Sequence, residues 1–212
     1  MTSPATNRSL SKHQRGHLSR ELITEAGLRV AHQNGIGNLT MKRLAAELSV
    51  TPMAIYRHFE DKSDLIDAVL DQYVQEQDIC NHSIAESDWA NWLFKTYTNM
   101  YQGLQSMPSV YPYLSTASRF GPGASAMVEH TLKVMQDAGF SFQSATRAAN
   151  ALNGFVIGCA IMDNAFYQNL VRTEHEQTRT ALENDAVSGL DNGLGLIISA
   201  LKHEHKDNHN QE

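Results

Sequence analysis

The 212-residue sequence lacks the features of secreted, membrane-bound and disulfide-stabilised proteins. Its two cysteines, Cys80 and Cys159, are not spaced as metal ligands, and we expect two free thiols in a reducing compartment. No apolar run approaches the roughly 20 residues that span a bilayer, and the first residues lack the apolar core of a signal peptide. We therefore expect a cytoplasmic globular protein with no membrane partner.

Signals for β-strands are also scarce. Few stretches alternate polar and apolar residues, and no two of them form a hairpin pair. Apolar residues recur at helical spacing instead, as they do in Leu22, Ile23, Ala26 and Val30. Breaks between such stretches fall at Asn34-Gly35, at Met107-Pro108 and at Gly121-Pro122-Gly123. These patterns predict an all-α fold without internal repeats.

Helix boundaries can be read from capping residues. Helices are predicted to begin near Ser19, after Thr40, after Thr51, around Asp61–Asp64 with Ser63 as the cap, after Asp88, near Ala124 and after Ser141. The polar stretch 172–185 is either a loop or an exposed helix, and a last apolar helix follows it. These boundaries divide the chain into short N-terminal helices and longer C-terminal ones.

The sequence has no overall positive charge, and its formal net charge is −6. The charges are unevenly placed, because residues 1–62 hold nine Lys and Arg against five Asp and Glu, whereas residues 63–212 hold eight against eighteen. A basic segment on an acidic chain still attracts phosphates locally, since salt confines its field to about 8 Å. The distribution favours DNA binding by the N-terminal part and a boundary near residue 62.

Residues 39–66 contain two short helices joined by a tight turn. Thr40 and Thr51 are N-cap residues, and Pro52 occupies the first helical position, where a missing N–H costs nothing. One face of the pair is apolar, and the other face carries Lys42, Arg43, Met53, Ala54, Tyr56, Arg57 and His58. A short helix with a basic and aromatic outer face is what reading the DNA major groove requires. The pattern therefore predicts a helix-turn-helix.

The run Ile-Tyr-Arg-His-Phe-Glu-Asp-Lys-Ser-Asp-Leu-Ile at 55–66 resembles the recognition-helix signature of tetracycline-repressor-type (TetR) transcriptional regulators. Gly35-Ile36-Gly37-Asn38-Leu39-Thr40 before it also fits that family, and the resemblance extends over residues 18–70. Ser49 departs from the pattern, because many members carry glycine there. If that position needs a positive φ, Ser49 is mildly strained.

The resemblance implies an N-terminal three-helix helix-turn-helix head and a C-terminal helical bundle that holds a ligand pocket and a dimer interface. On this basis we expect a flexible basic arm at 1–17, the DNA-binding domain at 18–64, the effector-binding and dimerisation domain at 65–203, and a polar, His-rich tail at 204–212. The implied partners are a palindromic double-stranded DNA operator, a partly apolar small-molecule effector and a second copy of the chain.

The resemblance also implies a division of DNA contacts. The base edges are expected to meet Lys42, Met53, Ala54 and Arg57. The phosphates are expected to meet Thr40, Thr51, Tyr56, His58 and Lys62. The alternative for Tyr56 and His58 is that they only pack within the small head.

The C-terminal part is rich in aromatic and sulfur side chains, which suit an adaptable apolar pocket with a few polar groups. The residues expected to line it are Trp89, Trp92, Tyr97, Met100, Tyr101, Tyr113, Phe120, Met127, His130, Thr131, Asn150 and Asn153. The alternative for each of them is ordinary bundle core. The pocket that the resemblance implies lies between the middle helices of this part.

Small residues accompany the apolar ones in the last two helices: Ala148, Ala149, Gly154, Gly158, Gly189, Gly193 and Gly195. Small residues let helices approach closely, and TetR-type proteins dimerise through a four-helix interface. Such a dimer places two heads about one DNA turn apart. Packing within one chain is the alternative.

Other classes of protein find little support. We expect no cofactor and no metal, because the His-rich tail lacks a scaffold and a solvated terminus is the expectation there. We do not expect an enzyme, since no nucleophile elbow, phosphate loop or zinc helix is present. An all-α enzyme that uses the body cavity and a protein-interaction module remain alternatives. Within the regulator class we expect a repressor, and an activator is the alternative.

Overall fold

The computed structural model describes residues 18–114, 121–170 and 176–209, and for 114, 166–170, 176–188 and 207–209 it describes the backbone alone. Every regular element in these ranges is helical, which confirms the predicted all-α fold. The predicted basic arm at 1–17 lies outside the described residues. The chain divides into two compact units, the first ending at Tyr73 and the second beginning at Val74.

The first unit is built from short helices. They are α1 (Arg20–Asn34), α2 (Met41–Leu48), α3 (Pro52–Ile55) and α4 (Lys62–Gln77), and a 3₁₀ turn, Ile36–Asn38, joins α1 to α2. Helix α4 starts in the first unit and its last turn belongs to the second. The core of this unit is formed by fully buried side chains, which include Ile23, Leu39, Leu44, Ile55, Phe59 and Leu65.

The caps that the sequence predicts at α1 and α2 are present. The Ser19 hydroxyl accepts a hydrogen bond from the Leu22 N–H at 3.3 Å, and the Thr40 hydroxyl accepts one from the Arg43 N–H at 3.1 Å. Gly35 ends α1 with φ 80°, where its N–H donates to the Ala31 carbonyl. These bonds satisfy backbone groups that a helix end otherwise leaves free.

The predicted cap of α4 is wrong. The helix begins at Lys62, so Ser63 lies inside its first turn, and the Asp61 carboxylate accepts the Asp64 N–H at 2.9 Å. Asp61 is a more favourable N-cap than Ser63, because a carboxylate at a helix N-terminus is also stabilised by the helix dipole.

The second unit is a bundle of longer helices. They are α5 (Trp89–Ser106), α6 (Tyr111–Leu114), α7 (Pro122–Asp137), α8 (Phe142–Leu170) and α9 (Glu176–His209). The polar stretch 172–185 is helical from Glu176 onward, and residues 171–175 lie outside the described part. Helix α5 packs against α7, α8 and α9. The buried side chains of this core include Trp92, Leu93, Tyr97, Val134, Met135, Leu152, Val156, Leu194 and Ile198.

The start of the predicted His-rich tail is helical and packed, rather than solvated. Helix α9 continues to His209, and His205 Nε2 lies 2.6 Å from the Ala138 carbonyl oxygen at the end of α7. The His205 ring also lies 5.1 Å from the Phe140 ring and 5.8 Å from the Trp89 ring, measured between centroids. Imidazole suits this position, because it packs on aromatic rings and satisfies a helix-terminal carbonyl.

The glycines of α8 and α9 fall into two groups. A Cβ at Gly193 would lie 2.0 Å from the Phe155 ring, so α8 and α9 approach there as only glycine permits. Beyond the backbone of its own helix, a Cβ at Gly154, Gly158, Gly189 or Gly195 would meet no atom of the described residues within 4 Å. Packing within the chain therefore explains Gly193, and it does not explain the other four.

We predict that Gly193→Ala destabilises the protein by about 1–3 kcal/mol, because the added methyl must displace the Phe155 ring. Urea unfolding followed by circular dichroism measures the effect. Gly189→Ala, one turn earlier in the same helix, is the matched control and should cost little. An unchanged midpoint in the Gly193 variant would show that Phe155 moves aside freely.

Candidate functional sites

The turn between α2 and α3 adopts the left-handed conformation that the sequence suggested. Ser49 has φ 54° and ψ 41°, a region that side chains enter at some energetic cost. Two hydrogen bonds close the turn, from the Ser49 N–H to the Ala46 carbonyl at 3.2 Å and from the Val50 N–H to the Ala45 carbonyl at 2.9 Å. The turn thus directs the chain from α2 into α3.

Helix α3 is very short, and buried side chains hold it in place. Its α-helical part is Pro52–Ile55, and hydrogen-bonded turns continue through His58. Ile55 is fully buried and Phe59 is 1% exposed, so the middle of this segment and the residue that follows it are fixed in the core. The outer face is therefore held at a defined orientation although a single helical turn is unstable by itself.

The four residues predicted to face bases lie at the surface of the first unit. Lys42, Met53 and Arg57 are exposed, and Ala54 is half-buried. Met53 is 69% exposed, an unusual setting for a large apolar side chain beside two cations. Met and Ala suit contact with thymine methyl groups, whereas Lys and Arg suit guanine.

The five residues predicted to face phosphates are placed less uniformly. Thr40, Thr51, Tyr56 and Lys62 are exposed, and His58 is half-buried. Tyr56 is 47% exposed, which favours contact with a partner over packing in the head. Two of these side chains already have partners within the protein. The Lys62 ammonium lies 3.4 Å from the Gly37 carbonyl oxygen, and the Thr40 hydroxyl caps α2. The assignment of bases and phosphates to these side chains stays a prediction.

Sequence reasoning missed an ion pair that joins α1 to the first turn of α4. The Arg20 guanidinium donates to both Asp64 carboxylate oxygens, at 2.5 and 3.1 Å, and to the His58 carbonyl at 2.7 Å. It also lies over the Phe59 ring, 4.1 Å from its centroid. Asp64 in turn accepts the Glu60 N–H at 3.0 Å. Arg20 therefore holds the chain that leaves α3 against the first turn of α4.

The electrostatics agree with this geometry. The hydrogen bond between Arg20 and Asp64 lowers the pKa of the Asp64 carboxyl group and raises the pKa of the Arg20 guanidinium. Partial burial opposes both shifts. A lowered carboxyl pKa contributes stability at neutral pH that is lost as the pH falls through the folded-state pKa. The pair is partly exposed, at 44% and 30%, so its contribution is reduced by solvent screening.

We predict that Arg20→Ala and Asp64→Asn each weaken DNA binding by up to about tenfold, because the α3 segment loses its fixed position. The slope of log affinity against log salt should stay the same, since no phosphate contact is removed. Binding isotherms at three salt concentrations measure both quantities. The reversed pair, Arg20→Asp with Asp64→Arg, should recover part of the loss.

A fall of about one in the salt slope of the Arg20 variant would instead make Arg20 a phosphate contact. Arg29→Ala removes the same charge from an exposed position of α1 and serves as the control.

The residues predicted to line the effector pocket are distributed over the second unit. The buried ones are Trp92, Tyr97, Met127 and Thr131, and the half-buried ones are Trp89, Met100, Tyr101, Tyr113, His130 and Asn153. Asn150 is exposed in the single chain, and Phe120 lies outside the described residues. The pocket assignment as a whole stays a prediction.

The structure separates two of the predicted aromatic residues into different groups. The Trp92 ring lies 5.0 Å from the His130 ring, and His130 pairs with Glu86 at 2.9 Å. Trp89 packs on Phe140 instead, with the ring centroids 5.0 Å apart. Trp92 and His130 are therefore candidates for one site, and Trp89 belongs to a different contact.

Tyr101 belongs to a polar network that links α5 to α8. Its hydroxyl donates to Asp163 at 2.6 Å and accepts from the Gln105 amide at 2.9 Å. The Tyr111 hydroxyl extends the network by donating to Gln105 at 3.2 Å.

Three buried polar atoms of the described residues make no hydrogen bond of regular geometry, and two of them, the hydroxyls of Tyr97 and Thr131, are neighbours. The third is His82 Nδ1. Sequence reasoning named Tyr97 and Thr131 but missed His82, which lies in the loop between α4 and α5. A single histidine in a polar loop carries no periodic signal, so sequence alone gives no reason to select it.

The described part of the chain contains no group of His, Cys, Asp and Glu that could hold a metal ion. Among the described residues, no helix is long and apolar enough to cross a membrane.

A fixed turn between α2 and α3, an exposed basic face and a separate helical bundle define the class of helix-turn-helix DNA-binding regulators. Residues 23–69 match the profile of the tetR family of bacterial regulatory proteins, and residues 84–202 match the tetracyclin repressor-like C-terminal domain. The chain belongs to this family, as the resemblance at 55–66 implied, and the family consists of regulators rather than enzymes.

Individual relatives are about 25% identical to the chain over the residues that match. The HTH-type transcriptional repressor DrrR1 of Streptomyces coeruleorubidus is 25% identical over 73% of this chain, and the match spans 57% of DrrR1. The tetracycline repressor protein class C of Escherichia coli is 24% identical over 87% of this chain and 91% of its own length. The crystal structure of TetR from Acinetobacter baumannii AYE is similar in fold, with a TM-score of 0.71, 21% identity, and coverage of 89% and 99%.

Proposed function

We propose that the protein is a dimeric, cytoplasmic transcriptional repressor that binds a palindromic operator and leaves it when a small molecule binds the C-terminal unit. The observation that carries the proposal is the exposed face of the helix-turn-helix, where Lys42 projects from α2, and Met53 and Arg57 project from the anchored α3 segment. Curated relatives that are named repressors support the sign of the regulation.

An apolar surface on α8 and α9 supports the dimer. Ile161, Met162 and Leu196 are exposed there at 39, 71 and 74%. The glycines of the same helices that meet nothing in their own chain would let a partner helix approach closely. A second copy of the chain would bury this surface in a four-helix contact.

Helix α4 is the element best suited to couple the two functions. It begins beside the Arg20–Asp64 pair of the first unit and ends at Gln77 in the second. An effector that binds better to one position of α4 shifts the equilibrium toward that position. A differential affinity of about 3 kcal/mol changes operator affinity by about two decades.

We predict that Arg57→Ala weakens operator binding by about 1–3 kcal/mol and relaxes preference at one base pair of each half-site, because a forked contact to guanine is lost. Selection of bound duplexes from a random pool, by the parent and the variant, measures both effects. Arg29→Ala controls for the loss of one positive charge. Retained affinity and an unchanged consensus would contradict a base-reading role for Arg57.

We predict that Leu196→Glu and Met162→Glu convert the dimer into a monomer, because each places a charge in an apolar contact. Sedimentation velocity over a range of concentrations measures the change. Phe142→Glu alters a side chain of α8 that is 62% exposed at the start of the helix, and it should leave the dimer intact. If the parent protein is a monomer at micromolar concentration, the dimeric part of the proposal fails.

A further inference from the structure

Two hydrogen bonds attach the end of helix α9 to the two helices that precede it. The Ser144 hydroxyl in the first turn of α8 donates to the Glu204 carboxylate at 2.5 Å. His205 Nε2 lies 2.6 Å from the Ala138 carbonyl oxygen at the end of α7. A carbonyl oxygen only accepts, so His205 carries a proton on Nε2 and donates it. We call these two bonds the C-terminal clasp.

Aromatic rings pack around the clasp. The centroid of the His205 ring lies 5.1 Å from that of Phe140 and 5.8 Å from that of Trp89, and the Phe140 and Trp89 rings lie 5.0 Å apart. Phe140 belongs to the connection between α7 and α8, and Trp89 is the first residue of α5. Each ring therefore contacts the other two, and packing holds His205 in addition to its hydrogen bond.

The polar groups of the clasp suit the helix ends that they meet. The Glu204 carboxylate lies beside the first turn of α8, where a helix dipole favours negative charge. Ala138 is the C-cap of α7, where carbonyl groups lack helical partners, and His205 satisfies one of them. The Ser144 side chain belongs to a residue that is only 6% exposed, so its bond to Glu204 is largely shielded from water. Arg147 also donates to the Ser144 hydroxyl, at 3.4 Å.

The clasp lies in register with the close contact between α8 and α9. Phe155 lies eleven residues after Ser144, and Gly193 lies eleven residues before Glu204. Eleven residues are about three turns of an α-helix. The equal spacing means that the two helices run antiparallel with the same register at both points. The Phe155–Gly193 contact and the Ser144–Glu204 bond therefore fix how α9 is placed along α8 and how it is rotated.

The part of α9 between these two points contributes to the apolar surface that supports the dimer. Leu196 lies there and is 74% exposed, whereas Leu194, Ile198 and Leu201 of the same segment are buried. Each residue of an α-helix is turned by about 100° from the one before it. A shift of α9 by one residue would thus turn Leu196 away from the surface and expose leucines of the core. Which side chains α9 offers to a second copy depends on its register.

We propose that the C-terminal clasp sets the register of α9 on α8 and so holds the apolar surface in the arrangement that a second copy binds. Glu204 and His205 are positioning residues, because they act on dimerisation through α9. Without the clasp, the end of α9 has to be ordered when the dimer forms, and this ordering weakens association. The inference rests on the dimer of the proposed function and names residues that control it.

The test compares dimer dissociation constants of the full-length protein and its variants. Sedimentation velocity over a dilution series measures them, at a temperature where circular dichroism shows that every variant is folded. Glu204→Ala and His205→Ala should each weaken the dimer by about tenfold, because each removes one bond of the clasp. Glu204→Gln keeps an oxygen that accepts from Ser144 and should retain most of the affinity. Lys206→Ala changes an exposed neighbour and should have no effect.

Asn99→Ala separates a positioning role from a general loss of stability. The Asn99 amide donates to the Ile79 carbonyl at 3.1 Å, so this variant also loses one hydrogen bond of the second unit, between α5 and the chain after α4. It should lower the Tm as Glu204→Ala does and leave the dimer dissociation constant unchanged. An unchanged constant in Glu204→Ala, or equal weakening by Asn99→Ala, would overturn the inference.

Amide hydrogen exchange provides a second measurement that does not depend on association. Exchange between Leu194 and Leu201 should be faster in Glu204→Ala than in the parent when both are compared as monomers at high dilution. Lys206→Ala should exchange at the parent rate. Equal exchange in the parent and Glu204→Ala would mean that the contact of Phe155 with Gly193 sets the register alone, and the inference would be wrong.

The outcomes for the two proposals can be separated. If the parent dimerises and selects an operator, and Glu204→Ala dimerises equally well, the role of the clasp fails and the proposed function stands. If the variants weaken the dimer as expected but the parent selects no operator from a random pool, DNA recognition fails and the role of the clasp stands. If the parent is a monomer at every concentration, the proposed dimer fails, and the role of the clasp fails with it.

Discussion

The function of the first unit depends on anchoring a helix that is too short to be stable by itself. The α-helical part of α3 has four residues, and nucleating so short a helix in water is unfavourable. Ile55 and Phe59 bury its inner face, and Arg20 binds the carbonyl of His58. Because these contacts fix the segment, Met53 and Arg57 can stay exposed at a defined orientation. DNA recognition then costs little ordering entropy.

The second unit combines close helix packing with buried polar side chains. Its helices approach tightly at Gly193 and Phe155, and its core excludes water from Trp92, Leu93 and Met135. In the same core, the hydroxyls of Tyr97 and Thr131 are buried beside each other between α5 and α7.

Local signals allowed much of the fold to be predicted. The caps Ser19 and Thr40 and the helix break at Pro108 were read from sequence neighbours, and the structure has them. The family resemblance raised a positive φ at Ser49 as a condition, and the structure meets it with φ 54°. The cap of α4 was assigned wrongly, since Asp61 and Ser63 are both good caps and only the start of the helix distinguishes them. The packed start of the His-rich tail was missed because its partner, Ala138, lies 67 residues away.

The sequence by itself determined the class of protein, because helical periodicity, capping residues and the 55–66 signature act over a few residues. The tertiary structure decided which of the suspected residues share a site. Arg20 and Asp64 are 44 positions apart, and Tyr97 lies beside Thr131 only because α5 packs against α7. Periodicity assigns a side chain to a face of its helix, whereas its partner depends on how distant helices pack.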